Sequence, residues 1–112
     1  MKIFLFDPEW DYELNDYDAS IEEALEAFYD LPDVKGAFFG LIDSEDRFVQ
    51  FAWSAQDKWI IDIPAKSYET SGASFQILGS YENCIEIINA MYNELQVDQL
   101  QELMESKTFF RR

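Results

Sequence analysis

The chain contains no histidine and a single cysteine, Cys84. Those two absences exclude an intrachain disulfide, a Cys/His zinc site and acid–base chemistry built on imidazole. Glycine is scarce as well. Gly36, Gly40, Gly72 and Gly79 are the only four, and their spacing matches neither a phosphate-cradling P-loop nor a dinucleotide-binding fingerprint. No apolar run approaches the roughly 18 residues that a membrane-spanning helix needs. The opening apolar stretch, residues 1–6, stops at Asp7-Pro8, which is too short for a secretory signal, so the expected location is the cytoplasm. Positive charge is the last shortage: eight Lys and Arg stand against 23 Asp and Glu, a formal net charge of −15. Such a surface repels nucleic acid, whose affinity for proteins comes largely from Lys and Arg neutralising phosphates. No direct nucleic-acid binding is expected, and a cationic protein partner is.

Apolar and aromatic residues are plentiful, at 48% and 17% of the chain. Disordered acidic segments lack that content, because without it they cannot bury enough surface to offset chain entropy. A chain of 112 residues therefore reads as one folded domain, residues 1–112, with a single core.

Residues 2–6 read as a short strand rich in β-formers, ended by Asp7-Pro8. Residues 9–19 read as an acidic connection studded with aromatics. Ser20 with Glu23 makes a capping box, opening a helix whose apolar face is Ile21, Ala24, Leu25, Phe28 and Leu31, with Pro32 past its end. The nearly continuous apolar run at 36–43 predicts a central strand buried on both faces. Residues 47–54 and 58–63 follow as strands across turns at Ser44-Glu45-Asp46 and Ala55-Gln56-Asp57. Pro64 stops the ladder. Residues 65–72 read as a polar loop and 73–78 as a further strand.

Ser80 caps a second helix with Cys84, Ile85, Ile88, Met91, Tyr92 and Leu95 on its apolar face. Asp98 with Gln101 predicts a capping box for a short terminal helix. The expectation is an α+β fold: an antiparallel four- to five-stranded meander with helices on one face, in the order β-α-β-β-β-β-α-α.

Charge is concentrated early in the chain. Eleven carboxylates and one lysine lie at or before Val34. Within that segment Trp10, Tyr12 and Tyr17 alternate with Asp7, Glu9, Asp11, Glu13, Asp16 and Asp18. Aromatic anchors among carboxylates suit an interface for a basic protein, since rings supply desolvated contact area and charges steer encounter. The expected partner-binding residues are Glu9, Trp10, Asp11, Tyr12, Glu13, Asp16, Tyr17 and Asp18. The plainer alternative is a solvated acidic loop whose rings fold back onto the core.

Catalytic and cofactor readings find little support. Asp16, Asp18 and Ser20 resemble the opening of a calcium-binding EF-hand loop, but its sixth and twelfth positions are Ile21 and Ala27 instead of Gly and Glu. No carboxylate pair among the 23 is singled out for glycoside hydrolysis. Cys84 lies in an apolar helical stretch, where cysteine behaves as a small buried hydrophobe. The expectation is no enzyme, no metal and no cofactor. Residues 48–53 with 59–64 offer rings that either complete the sheet–helix core or present a partner-binding sheet face.

The runs at 36–43, 47–51 and 58–64, the Gly-Ala-Ser-Phe segment at 72–75 and the helix at 84–95 together resemble small immunity proteins of bacterial polymorphic-toxin systems. The resemblance covers roughly residues 36–95 and rests on a pattern of elements, with no diagnostic motif. It implies a cytoplasmic antitoxin that covers the active surface of a cognate toxin and carries no catalytic residues. Combined with the charge, it points to a basic toxin such as a nuclease, whose substrate groove an acidic protein can fill. Three other readings remain open. One is a phage-type nucleic-acid mimic, and another is a small-ligand domain with acidic residues in an aromatic pocket. The third is a regulatory or scaffold component that dimerises through a sheet edge or Phe109-Phe110. Monomer and homodimer are both compatible with the sequence.

Overall fold

The computed structural model describes residues 1–64 and 75–105. The elements run β1 (Lys2–Asp7), β2 (Tyr12–Asp18), α1 (Ile21–Asp30), β3 (Phe38–Ile42), β4 (Phe48–Ala55), β5 (Lys58–Ile63), β6 (Phe75–Gly79), α2 (Tyr81–Tyr92) and α3 (Val97–Glu105). The six strands form one antiparallel sheet in the order β2-β1-β3-β4-β5-β6. The α+β class and the meander from β3 onward agree with the sequence reading. The strand count does not: residues 9–19, read as a connection, contain β2. Tyr12, Glu13, Leu14 and Asn15 do alternate, but an extra residue at Asn15-Asp16 breaks the period before Tyr17, so no sustained strand pattern is visible in the sequence. The polar loop at 65–72, the first two residues of the expected strand at 73–78, and Phe109-Phe110 lie outside the described residues.

Because β2 and β3 both run antiparallel to β1, they are parallel to each other. A parallel relation needs a crossover connection, which α1 supplies. Alternation then places Ile3 and Leu5 of β1, Phe39 and Leu41 of β3, Val49 and Phe51 of β4, and Trp59, Ile61 and Ile63 of β5 on the helix-covered face, all buried. The helices add Ala24 and Phe28 from α1, Cys84, Ile87, Ile88 and Met91 from α2, and Val97, Leu100 and Met104 from α3. Phe28 sits at the centre. Its ring lies 5.3 Å from Phe39, 5.6 Å from Phe51 and 4.9 Å from Trp59, and stacks on Tyr81 at 5.0 Å. Cys84 is fully buried, and burial pushes its thiol above the ordinary value, as befits a packing residue.

The run at 36–43 is buried on one face only. Phe38 and Ile42 are half-buried on the face opposite the helices, together with Phe4, Phe6 and Phe48. There Phe4 meets Phe48 edge-to-face at 5.5 Å and Phe38 at 6.2 Å, and Phe6 meets Phe38 at 5.9 Å. Gly40 makes this cluster possible: a Cβ at that position would come within 1.9 Å of the Phe4 ring. Trp53 and Trp59 pair across β4 and β5 on the helix side, so they belong to the core and not to an open platform.

Helix starts follow their predicted signals at two of three ends. Ser20 and Glu23 form the reciprocal box that opens α1, and Ser80 forms one with Asn83 at α2. The third start departs from prediction. α3 begins at Val97, so Asp98 lies inside the first turn, where it pairs with Arg47 of the β3–β4 turn, and the Gln96 N–H before the helix is accepted by Gln99 Oε1 at 3.0 Å. The Val97 N–H is accepted by Asp43, 54 residues away.

Tyr92, near the end of α2, donates its hydroxyl to the Ala19 carbonyl at 2.8 Å, tying α2 to the β2–α1 junction. Burial, reinforced by the charges of Asp18 and Glu23, pushes its phenol up to about 12 from the ordinary 10.0. A phenol held neutral in the fold contributes stability that is complete below about pH 10 and is lost as pH rises through about 12. The stability difference between the protein and its Tyr92→Phe variant is expected to shrink by about 1 kcal/mol across that window, once solvent screening is allowed for. Urea midpoints at pH values either side of it would check this. A difference independent of pH would contradict it.

Candidate functional site

The β1–β2 hairpin carries all eight residues singled out from the sequence, and each is exposed. At its tip Asp7, itself buried, accepts from the N–H groups of Glu9 (2.9 Å) and Trp10 (3.2 Å), an aspartate turn that fixes the loop. Asp11 completes it with φ of 49°, in the left-handed region that Asp tolerates better than most residues. The turn pushes Trp10 outward to 81% exposure. A tryptophan held this far into solvent is unusual for a ring that buries well.

β2 is an edge strand, paired among the described residues with β1 alone. Its register slips between Ile3 and Leu5: Ile3 faces Tyr17 and Leu5 faces Leu14. Asn15 and Asp16 fill the bulge, with Asp16 at φ of 49°. The extra residue changes which side chains share a face. Tyr12 and Leu14 point toward the helices by ordinary alternation, and the bulge brings Tyr17, in place of Asp16, onto that same side. Glu13 and Asp18 face the opposite side, beside Phe6 and Lys2, where Asp18 also pairs with the Met1 amino group at 3.4 Å. The eight residues are thus brought to one hairpin but divided between its two faces. Charged side chains and a bulge on an edge strand also keep it from pairing with other strands.

A groove of about 370 Å³ lies between β2 and α1. Leu5, Leu14, Ala27 and Leu31 supply apolar lining, Tyr12 and Tyr17 one wall, and Glu23, Glu26 and Asp30 of α1 an acidic rim. Glu23 is fully engaged. Its Oε1 accepts from the Ser20 N–H (3.0 Å) and its Oε2 from the Tyr17 hydroxyl (3.1 Å), which together hold its carboxyl below the usual range, the Ser20 bond having the larger effect. The Tyr17–Glu23 hydrogen bond, followed by the charge of Glu23, raises the Tyr17 phenol. Glu26, Asp30 and the 75%-exposed Tyr29 were not singled out in the sequence. Their signal was present, since Glu22, Glu26 and Asp30 recur every fourth residue on α1.

A second depression, of about 710 Å³, lies at the other end of β1, near Met1, Ile42, Tyr92 and Gln96. Two of its carboxylates are already engaged: Asp43 accepts from three backbone N–H groups and Asp18 pairs with Met1. Among the described residues no cluster of three or more His, Cys, Asp or Glu is placed to hold a metal ion. No helix among them is long and apolar enough to cross a membrane. Compared with protein-family models, curated proteins and solved structures, the chain matches none of them.

Proposed function

We propose that this chain is a non-catalytic, protein-binding inhibitor of the immunity type, which neutralises a basic toxin, such as a nuclease, by covering its active surface. The observation that carries the reading is the exposure of Trp10, Tyr12 and Tyr17 on one edge hairpin, interleaved with Glu9, Asp11, Glu13, Asp16 and Asp18. Exposed rings of this size serve as anchors once desolvated, and the surrounding field accelerates approach of a cationic surface. The formal charge of −15 extends that field beyond the contact itself. Phe6 of the half-buried phenylalanine cluster is the cross-strand neighbour of Glu13, so a partner seated on the hairpin has apolar area to cover beside the charge.

The test uses the product of a toxin gene adjoining this one, mixed with the purified chain under stopped flow. Inhibition of the toxin is expected, with an association rate that falls at least about tenfold between low and high salt. Reversing Asp11, Glu13, Asp16 and Asp18 to lysine should slow association by a similar factor. Absence of an adjoining toxin gene, or association insensitive to both salt and the reversals, would overturn the reading.

A further inference from the structure

Resting on that docking reading, we propose that the groove between β2 and α1 receives one long cationic side chain of the partner, an arginine, making it the specificity pocket of the interface. The groove offers two things that such a side chain needs separately. Its lining of Leu5, Leu14, Ala27 and Leu31 matches an aliphatic stem, which buries along apolar surface while its charged head stays polar. Its rim of Glu26 and Asp30 matches the head. Tyr12 and Tyr17 stand on the β2 side, where a guanidinium can lie against a ring face. A volume of about 370 Å³ is at the small end of ligand-sized clefts, the scale of one or two side chains and not of a helix. Guanidinium is also more weakly hydrated than ammonium and suits interface ion pairs better.

The rim is poorly matched to an isolated helix. Glu22, Glu26 and Asp30 place like charges four residues apart, which disfavours a helix. Asp30 ends α1, where the macrodipole is negative and a basic residue is favoured, yet the last turn has none. Among the described residues neither Glu26 nor Asp30 is in a salt bridge. A cation seated between them relieves both mismatches. Glu23 already serves Ser20 and Tyr17, so it holds the wall in place and leaves the other two carboxylates for the ligand.

The probe is the tripeptide acetyl-Gly-Arg-Gly-amide, titrated into the ¹⁵N-labelled full chain at low salt. Its neutral control replaces arginine by norleucine. Amide shifts are expected to concentrate at Leu14, Tyr17, Ala27 and Leu31, with the norleucine peptide weaker by about fivefold or more. Glu26→Gln with Asp30→Asn should weaken arginine binding by about five- to tenfold, and Ala27→Leu, which fills the groove from a helical position, should abolish it. Neutralising the hairpin tip, Glu9→Gln with Asp11→Asn, should leave it unchanged. Shifts spread over all carboxylates and equally sensitive to the tip variant, or norleucine binding as well as arginine, would overturn the pocket. Either result leaves salt-dependent association with the toxin intact. Loss of that association with the groove titration preserved would instead sink the docking reading alone.

Discussion

Replacing Phe28 by alanine is expected to destabilise the protein by about 3–5 kcal/mol, the range for truncating a fully buried aromatic. Phe28 is fully buried, and its ring touches Phe39, Phe51, Trp59 and Tyr81. It therefore joins α1 to three strands and to α2. Truncation removes the apolar area of the ring and leaves a cavity walled by other rings, which are too stiff to collapse into it. Against a total stability of roughly 5–15 kcal/mol for a domain, the loss takes the variant close to its unfolding threshold. Phe28→Leu retains part of the volume and should cost about 1–2 kcal/mol. Urea unfolding monitored by tryptophan fluorescence is a direct measure, since Trp59 lies 4.9 Å from the Phe28 ring. A loss below about 1 kcal/mol for the alanine variant would show that the helix layer can close around the gap.

The second large effect falls on a polar residue. Asp43 is buried, and one carboxylate accepts from the N–H groups of Glu45 (2.8 Å), Arg47 (3.0 Å) and Val97 (2.9 Å). It thereby closes the β3–β4 turn and caps α3 from outside the helix. Asp43→Ala strands these donors, and the Val97 amide, at a buried position, has no ready access to water. Hydrogen bonds to a charged acceptor contribute about 1.5–3 kcal/mol each, and a buried unsatisfied donor costs about 1–3. With the turn amides partly compensated by solvent, the expected total is about 3 kcal/mol. Asp43→Asn can still accept through its oxygen but presents an NH2 group to one donor, so about half that loss is expected. Hydrogen exchange at the Val97 amide separates the two effects. It should accelerate in the alanine variant well beyond the change in global stability, because α3 loses its capping acceptor directly.

These two residues mark the limits of what local pattern reveals. Phe28 was legible as a core residue from the helical spacing of Ile21, Ala24, Leu25, Phe28 and Leu31, and the Ser20–Glu23 box and the cap residue Ser80 marked two helix starts because such signals are local. Asp43 was not legible as a cap: its third donor is Val97, and no window of sequence contains both. The start of α3 was misplaced as well: Asp98 and Gln101 have the spacing of a box, but the helix already begins at Val97, whose N–H is accepted by the distant Asp43. β2 escaped prediction because strand alternation is read from apolar positions, and an edge strand that buries little leaves few of them. The run at 36–43 was read as buried on both faces because hydrophobicity counts side chains and not layers. Phe4, Phe38 and Phe48 instead shield one another on a sheet face that no helix covers among the described residues.

For the candidate site, the sequence by itself carries an apolar content of 48%, a formal net charge of −15, and aromatics interleaved with carboxylates before residue 20. Those properties are sums over the chain or its segments and need no geometry. Which of these side chains face together was decided only in the folded state. The bulge at Asn15 and Asp16 turns Tyr17 to the side of Tyr12 and Leu14, and the crossover through α1 brings Glu26 and Asp30 beneath them. A groove exists where two elements meet, and its lining depends on the register and approach of both, which long-range packing sets and neither segment encodes by itself.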